Sequence, residues 1–238
     1  VTKILQNAGT YDILTPPDYL LDQPEIIERA GRTAYQSFAC SECKGSGDDG
    51  LGTMRGCPMC GGTGKRAINA ESAETFIRML IRRGHESVLE HSALTVRFSN
   101  HSRGFTHELV RHRLCAFTQE STRYVDEREA AVVCPPSRDP HDPVTVIKDL
   151  PSGGSMTDHA SFRVFSARVM EAYRALREAG WPAQDARQIL PIGITSEIVV
   201  TANFREWRHI FSLRTAKPAH WEIRRTMGLL LTELQDLL

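Results

Sequence analysis

The sequence predicts an α+β fold in one domain, with a small metal-binding insertion. Apolar residues recur at helical spacing in several separate segments. A few β-rich stretches lie among these segments without alternating one-for-one with them, which argues against a doubly wound parallel sheet. A cysteine- and glycine-rich block of low apolar content interrupts the chain between its first two predicted helices. At 238 residues the chain is long enough for one sizeable core that carries such an insertion.

In chain order, residues 3–14 mix β-branched and polar side chains and predict a strand that breaks at Pro16-Pro17. Pro24 stands just inside the helix predicted over PEIIERAGRTAYQSF, where Ile26, Ile27, Ala30 and Ala34 form the apolar face. A clearer helix covers 71–83, with Phe76, Ile77, Leu80 and Ile81 at helical spacing and Gly84 as its stop. Residues 93–98 alternate and predict a strand leading into a helix rich in arginine. Residues 134–155, rich in Pro, Asp, Ser and Gly, predict a surface loop. Then follow an amphipathic helix over 161–179 closed by Gly180, a short helix over 182–190, a β-rich stretch over 194–204 and a helix over 206–213. A last helix over 218–238 buries Trp221, Met227, Leu230, Leu231 and Leu234.

The stretch NHSRGFTHELVRHRLCAFTQESTRY, residues 100–124, concentrates the chemistry. Asn100 or Ser102 can cap its helix, and Glu108, Arg111 and His112 then share a face at i, i+3 and i+4. Residues 116–121 predict a turn that brings Arg123 back toward Arg111. Three arginines with the hydroxyls of Thr118, Ser121 and Thr122 suit a phosphate, which guanidinium forks bind bidentately. A solvated basic helix, or one that binds nucleic acid, has the same composition. Cys115 lies in LCAF, which predicts buried packing, where a free thiol acts as a small hydrophobe.

In the block at 39–66, Cys40-x2-Cys43-x-Gly-x-Gly and Cys57-x2-Cys60-x-Gly-x-Gly repeat one another. Each pair is a knuckle whose glycines free the backbone to aim N–H groups at sulfur. Two knuckles supply the four thiolates of a closed, structural Zn2+ site. The halves resemble the repeats of the zinc-binding region in DnaJ-type chaperones. Such a segment has too few apolar residues to order itself without metal.

The charges balance at 29 basic and 29 acidic residues, so no global field favours nucleic acid or a membrane surface. No apolar run reaches the roughly 20 residues that span a bilayer, and VTKILQNAGTYDILTPP lacks the apolar core of a signal peptide. The expectation is a cytoplasmic enzyme whose six cysteines are thiols or metal ligands. A zinc-ribbon protein that binds nucleic acid without flavin is the alternative.

Arg111-His112-Arg113, seven residues, then Ser121-x-Arg123-Tyr124 resembles the signature of the flavin-dependent thymidylate synthases. Gly84-His85-Glu86-Ser87-Val88-Leu89-Glu90-His91 is similar to that family's G-H-x-S/T-x-x-E-H segment. Phe105 to Leu109, Ala186-Arg187, Leu190-Pro191, Asn203, Leu213-Arg214 and Trp221-Glu222-Ile223 keep the family's order and spacing. The resemblance covers nearly the whole chain outside 39–66 and 134–155.

That resemblance implies a reductive methylation of dUMP to dTMP, with methylenetetrahydrofolate as one-carbon donor and NADPH as reductant of a bound FAD. It assigns His85, Ser87, Glu90, Arg111, His112, Arg113, Asn203 and His209 to FAD. It assigns Glu108, Arg111, Gln119, Glu120, Ser121, Arg123, Arg187 and Arg214 to the nucleotide, with Arg111, Ser121, Arg123 and Arg214 nearest the chemistry. Cys40, Cys43, Cys57 and Cys60 remain for zinc, an insertion the family does not share. The resemblance also implies a homotetramer with shared active sites. Two positions depart from the family: Pro218 stands where many members have a histidine, and Glu120 where the residue is often apolar. No G-x-G-x-x-G fingerprint is present, so the implied flavin site is not of Rossmann type.

Overall fold

The computed structural model describes residues 2–48, 56–149 and 155–237. In chain order the elements are β1 (Ile4–Leu5), β2 (Thr10–Ile13), α1 (Pro17–Tyr35), α2 (Ala70–Arg82), β3 (Ala93–Ser102), α3 (Arg103–Leu109), β4 (Ala116–Gln119) and β5 (Val132–Val133). They continue with β6 (Val144–Asp149), β7 (Ser155–Ala160), α4 (Phe162–Glu178), α5 (Ala183–Ala186), β8 (Thr195–Asn203), α6 (Phe204–Arg214) and α7 (Trp221–Leu237). Helices and small sheets are mixed, as the α+β reading expects. A four-stranded sheet has the order β2-β3-β8-β4, with β2 antiparallel to β3 and β4 antiparallel to β8. The chain divides into two compact units. The first comprises Val1–Ile13, Thr95–Thr201 and Ile210–Glu233; the second comprises Leu14–Leu94, Ala202–His209 and Leu234–Leu238.

In the first unit the sheet buries alternate residues: Val96 and Phe98 on β3, and Ser196, Ile198 and Val200 on β8. This is the period of two expected of a sheet with one covered face. Asn100 breaks the rhythm with a positive φ of 59°, and the strand runs on to Ser102. There the Ser102 side chain caps α3 by accepting the Phe105 N–H at 3.1 Å. The buried carboxylate of Glu222, on α7, accepts the Ser102 N–H at 2.8 Å and its hydroxyl at 2.5 Å. The His101 ring lies 3.3 Å from the same carboxylate and stacks on Phe105, with ring centroids 4.0 Å apart. A Cβ at Gly9 would lie 2.1 Å from the His101 ring, so this corner accepts only glycine there. Burial acts to raise the Glu222 pKa, but hydrogen bonds from His101 and Ser102 outweigh it and hold the carboxyl below its ordinary range.

In the second unit α1 starts at Pro17, well before Pro24, which sits inside the helix. Pro17 occupies the first helical turn, where a missing N–H costs nothing. Pro24 removes one internal bond, to Leu20, and the flanking turns hold the helix together. Leu20, Ile27 and Gly31 are buried on α1, whereas Ile26 is 37% exposed. A Cβ at Gly31 would fall 2.6 Å from the Phe76 ring of α2, so glycine permits that approach. A capping box starts α2: Asn69 accepts the Ser72 N–H at 2.9 Å, and the Ser72 hydroxyl accepts the Asn69 N–H at 3.0 Å. Gly84, with φ of 74°, closes it.

Several expectations are corrected. The arginine helix ends at Leu109, with Val110 as its C-cap, so Arg111, His112 and Arg113 follow the helix instead of riding on it. Residues 116–119 form β4, not a turn, because β8 offers an edge: Ala116 to Gln119 pair with Thr201 to Ile198. Leu114 is 77% exposed, so LCAF is not core packing. The expected loop over 134–155 contains β6, which pairs antiparallel with β7 from Val144↔Ala160 to Asp149↔Ser155; residues 150–154 of that loop lie outside the described residues. The last helix begins at Trp221, not Pro218.

Glu127 is 3% exposed, and its Oε1 has no hydrogen-bond partner among the described residues. Burial first, then the charge of Glu120, pushes its pKa up to about 7, against the pull of Arg103. The folded state therefore holds a proton that the unfolded chain releases from about pH 4.5 upward, and stability falls as pH rises from there to about 7. Glu127→Gln should raise the melting temperature more at pH 8 than at pH 5. The difference should reach at most about 3 kcal/mol, and equal effects at both values would refute this assignment. Glu222→Ala should cost about 3–5 kcal/mol in denaturant unfolding, since it strands His101 and both Ser102 donors. Glu222→Gln, which keeps an acceptor oxygen, should cost less.

Candidate active site and metal centre

Within the first unit, Arg214 at the end of α6 gathers two residues of the arginine stretch. Its Nε–H donates to His112 Nε2 at 2.9 Å, and its Nη2 donates to the Glu108 carbonyl at 2.8 Å. Its Nη1 pairs with the Glu108 carboxylate. Arginine can only donate, so the His112 lone pair must lie on Nε2. Glu108 and His112 therefore meet through a residue about a hundred positions away, not by sharing a helix face.

On β4, Gln119 donates from Nε2 to Thr106 Oγ1 at 2.9 Å and to Ser196 Oγ at 3.4 Å. Glu120 accepts the Glu197 N–H at 3.2 Å; burial raises its pKa against that bond. Ser121 begins a turn in which its carbonyl accepts the Tyr124 N–H at 3.0 Å, and the Arg123 guanidinium lies 5.4 Å from the Tyr124 ring centroid. Arg187 donates to Thr122 Oγ1 at 3.1 Å, on a cavity of about 340 Å³ that Arg103 and His107 also line. Arg111, Arg113 and Arg123 are exposed, and none has a carboxylate partner among the described residues.

Within the second unit, His85 follows the Gly84 turn. Its ring stacks on Tyr35, with centroids 6.4 Å apart, and its Nδ1 is hydrogen-bonded to the Tyr35 hydroxyl at 3.1 Å. The 3-10 turn Glu86–His91 carries exposed Ser87 and pairs Glu90 with Arg205 at 2.5 Å. Asn203 Oδ1 accepts the Glu206 N–H at 2.9 Å, a capping role at the start of α6, and His209 is exposed on that helix. Thr106, Ser196, Tyr35 and Arg205 escaped the sequence reading. Thr106 lies within the Phe105–Leu109 segment but has no assigned role there, and the other three meet their partners from 50 or more positions away.

Cys40, Cys43, Cys57 and Cys60 converge, with all four sulfurs within 4.8 Å of one another. Cys40 Sγ lies 4.0 Å from Cys57 Sγ, and Cys43 Sγ lies 3.7 Å from Cys60 Sγ. Four sulfurs at the zinc bond length of about 2.3 Å in a tetrahedron stand roughly 3.8 Å apart, so the cluster has the dimensions of a closed zinc shell. Burial raises the Cys43 thiol, but the N–H groups of Gly47 and Gly45 outweigh it, and the group falls to about 6. Burial pushes Cys57 up to about 11. Backbone bonds join the ends of the segment: Cys40 N–H to the Gly64 carbonyl at 2.9 Å, and Arg66 N–H to the Phe38 carbonyl at 2.8 Å.

Residues 18–238 match the family model described as thymidylate synthase complementing protein. The flavin-dependent thymidylate synthase of Mycobacterium tuberculosis is 32% identical over 227 residues, covering 93% of this chain and 81% of its own. That of Mycobacteroides abscessus is 30% identical over 239 residues, covering 98% and 86%. The crystal structure of a UMP/dUMP methylase, PolB from Streptomyces cacaoi, bound with 5-Br dUMP superposes with a TM-score of 0.65 at 21% identity, over 99% of this chain and 93% of that one. With 5-Br UMP bound, the TM-score is 0.61. The match over most of the length, on the segments that hold the Glu108–Arg214–His112 cluster and the His85 turn, makes this chain a member of the flavin-dependent thymidylate synthase family.

Proposed function

We infer that this enzyme methylates dUMP to dTMP with methylenetetrahydrofolate and NADPH, on a bound FAD. The observation that carries the reading is the Glu108–Arg214–His112 constellation, in which a charged guanidinium is held by three bonds at 15% side-chain exposure. A fixed, partly desolvated cation of this kind stabilises negative charge as it develops on a uracil ring. The PolB structures, solved with brominated UMP and dUMP, lend the substrate class support.

FAD supplies the hydride chemistry when bound. His85, Ser87, Glu90, Arg111, His112, Arg113, Asn203 and His209 are the residues that the family resemblance assigns to it. Exposed arginines without carboxylate partners suit its pyrophosphate, and the Tyr35-backed ring of His85 offers a flat, hydrogen-bonding edge. Arg123, with Ser121, is assigned to the nucleotide phosphate, where its free guanidinium can make two parallel bonds. Gln119, Glu120, Arg187 and Glu108 are assigned to the nucleotide body. Their side chains are already oriented by Ser196, Glu197 and Thr122, and by Arg214, so little entropy is lost on binding. Ser121 acts as a ligand, not a nucleophile, because among the described residues no base is hydrogen-bonded to its hydroxyl, which accepts the Arg123 N–H. The reading extends to a cytoplasmic homotetramer with shared active sites, and to a structural zinc held by the four cysteines.

Purified protein should be yellow, or should take up FAD stoichiometrically, and should form dTMP from the three substrates; a chain that cannot be loaded with FAD would end the reading. Arg123→Ala should weaken dUMP binding by about 2–5 kcal/mol while flavin stays bound. Metal analysis of anaerobically purified protein should find one zinc per chain. Replacing residues 39–66 with a short linker should leave a folded, flavin-containing protein, because the backbone bond between Arg66 and Phe38 shows that the segment's two ends lie side by side and a short linker can span them; loss of flavin with the segment would refute a separate structural role.

A further inference from the structure

The second unit contains a cleft of about 690 Å³ whose described lining includes His85 but none of the other residues assigned to flavin or nucleotide. One wall belongs to the cysteine segment, through Ser41, Met59 and Arg66. The opposite wall belongs to α1 and α2, with Tyr35, Phe76 and Met79, and the cleft reaches Arg83 and His85. Its volume is that of a pocket for a small organic ligand.

The charges in the cleft are unevenly satisfied. Arg32 is buried against Glu28, whose other oxygen accepts the Ser72 hydroxyl at 2.6 Å, and its guanidinium lies 4.4 Å from the Phe76 ring centroid. Arg66 and Arg83 are exposed and have no side-chain partner among the described residues. Among the described residues the cleft's lining carries one carboxylate, Glu71. The apolar surface is aromatic and thioether in kind: Tyr35, Phe76, Met59 and Met79. Thioether and ring surfaces pack well against a flat heterocycle, and two free guanidinium groups call for a doubly charged anion.

We propose that this cleft binds an anionic co-substrate with a planar heteroaromatic body, and that the metal-held knuckles form one wall of its site. The proposal rests on the reading of the chain as a flavin-dependent methylating enzyme and deepens it, by giving the insertion a part in co-substrate binding. The two sources of such a ligand are a folate, whose tail carries carboxylates, and a reduced nicotinamide dinucleotide, whose tail carries phosphates. The metal matters because Arg66 follows directly on the second knuckle. Cys40 N–H bonds to Gly64, Cys57 N–H bonds to Gly47 at 2.8 Å, and Arg66 N–H bonds to Phe38. Fixing the four sulfurs therefore fixes the backbone that carries Met59 and Arg66.

The test uses holoenzyme with Arg66→Ala, Arg83→Ala and the double substitution. Binding of methylenetetrahydrofolate and of NADPH is measured by calorimetry, and the KM of each is measured in dTMP formation; flavin content is read from absorbance. The expected result is a rise of about tenfold in Kd and KM for one co-substrate, with kcat and flavin content unchanged. A rise for the folate identifies a carboxylate tail, and a rise for NADPH identifies phosphates. Wild-type constants for both ligands in the double variant would overturn the proposal, as would loss of flavin, which would make the cleft part of the flavin site. Wild-type protein that takes up no FAD would refute the functional reading, and the calorimetric comparison would still decide whether the cleft binds either ligand. Chelation of the metal from wild-type protein should raise the same Kd while circular dichroism stays native; an unchanged Kd would overturn the metal's part in the wall.

Discussion

A single carboxylate, that of Glu222, sets the corner on which the first unit's chemistry depends. It is buried and accepts the backbone N–H and hydroxyl of Ser102, with His101 against it. An uncompensated buried charge would cost several kcal/mol, but this one is saturated with donors and so locks the register of its neighbours. Ser102 both ends β3 and caps α3, so the bond fixes where the helix begins. Seven residues later that helix ends, and Glu108 in its last turn reaches Arg214. The position of the candidate catalytic cluster thus follows from a contact at the other end of a two-turn helix.

The arginines of the candidate site divide by what holds them. Arg214 and Arg187 are tied to protein acceptors, and their geometry is set before any ligand arrives. Arg111, Arg113 and Arg123 are exposed and carry unneutralised charge. The first kind suits the orientation of a reacting ring and the second suits phosphate capture, because a phosphate supplies the counter-charge that the protein withholds. The Glu120 carboxylate is accommodated by the Glu197 backbone N–H.

The cysteine segment has little apolar content and is held instead by backbone proximity. Gly47 and Gly64 have positive φ, and a Cβ on either would approach a carbonyl of the opposite repeat to within 2.5 Å. The repeated glycines are therefore required by the crossing of the two halves, as well as by the turns around sulfur. That crossing brings the four sulfurs to tetrahedral spacing and leaves Met59 and Arg66 facing the α1–α2 cleft.

The sequence alone determined the mixed helix and strand content, a cap at Ser102 (offered with Asn100) and the stops at Gly84 and Gly180, because these depend on neighbours within a few residues. It also determined the four-cysteine cluster and, through Arg111–Tyr124 and Gly84–His91, the family. Only the tertiary structure decided that the arginine helix stops at Leu109, that residues 116–119 are a strand and that 144–160 contain a hairpin. In each case a partner from elsewhere in the chain, such as the open edge of β8, overrode local propensity. The pairing of Glu108 with His112 through Arg214, of His85 with Tyr35 and of Gln119 with Ser196 was equally out of reach of the sequence. Hydrogen bonds across 50 to 106 positions are satisfied in space and leave no periodicity along the chain.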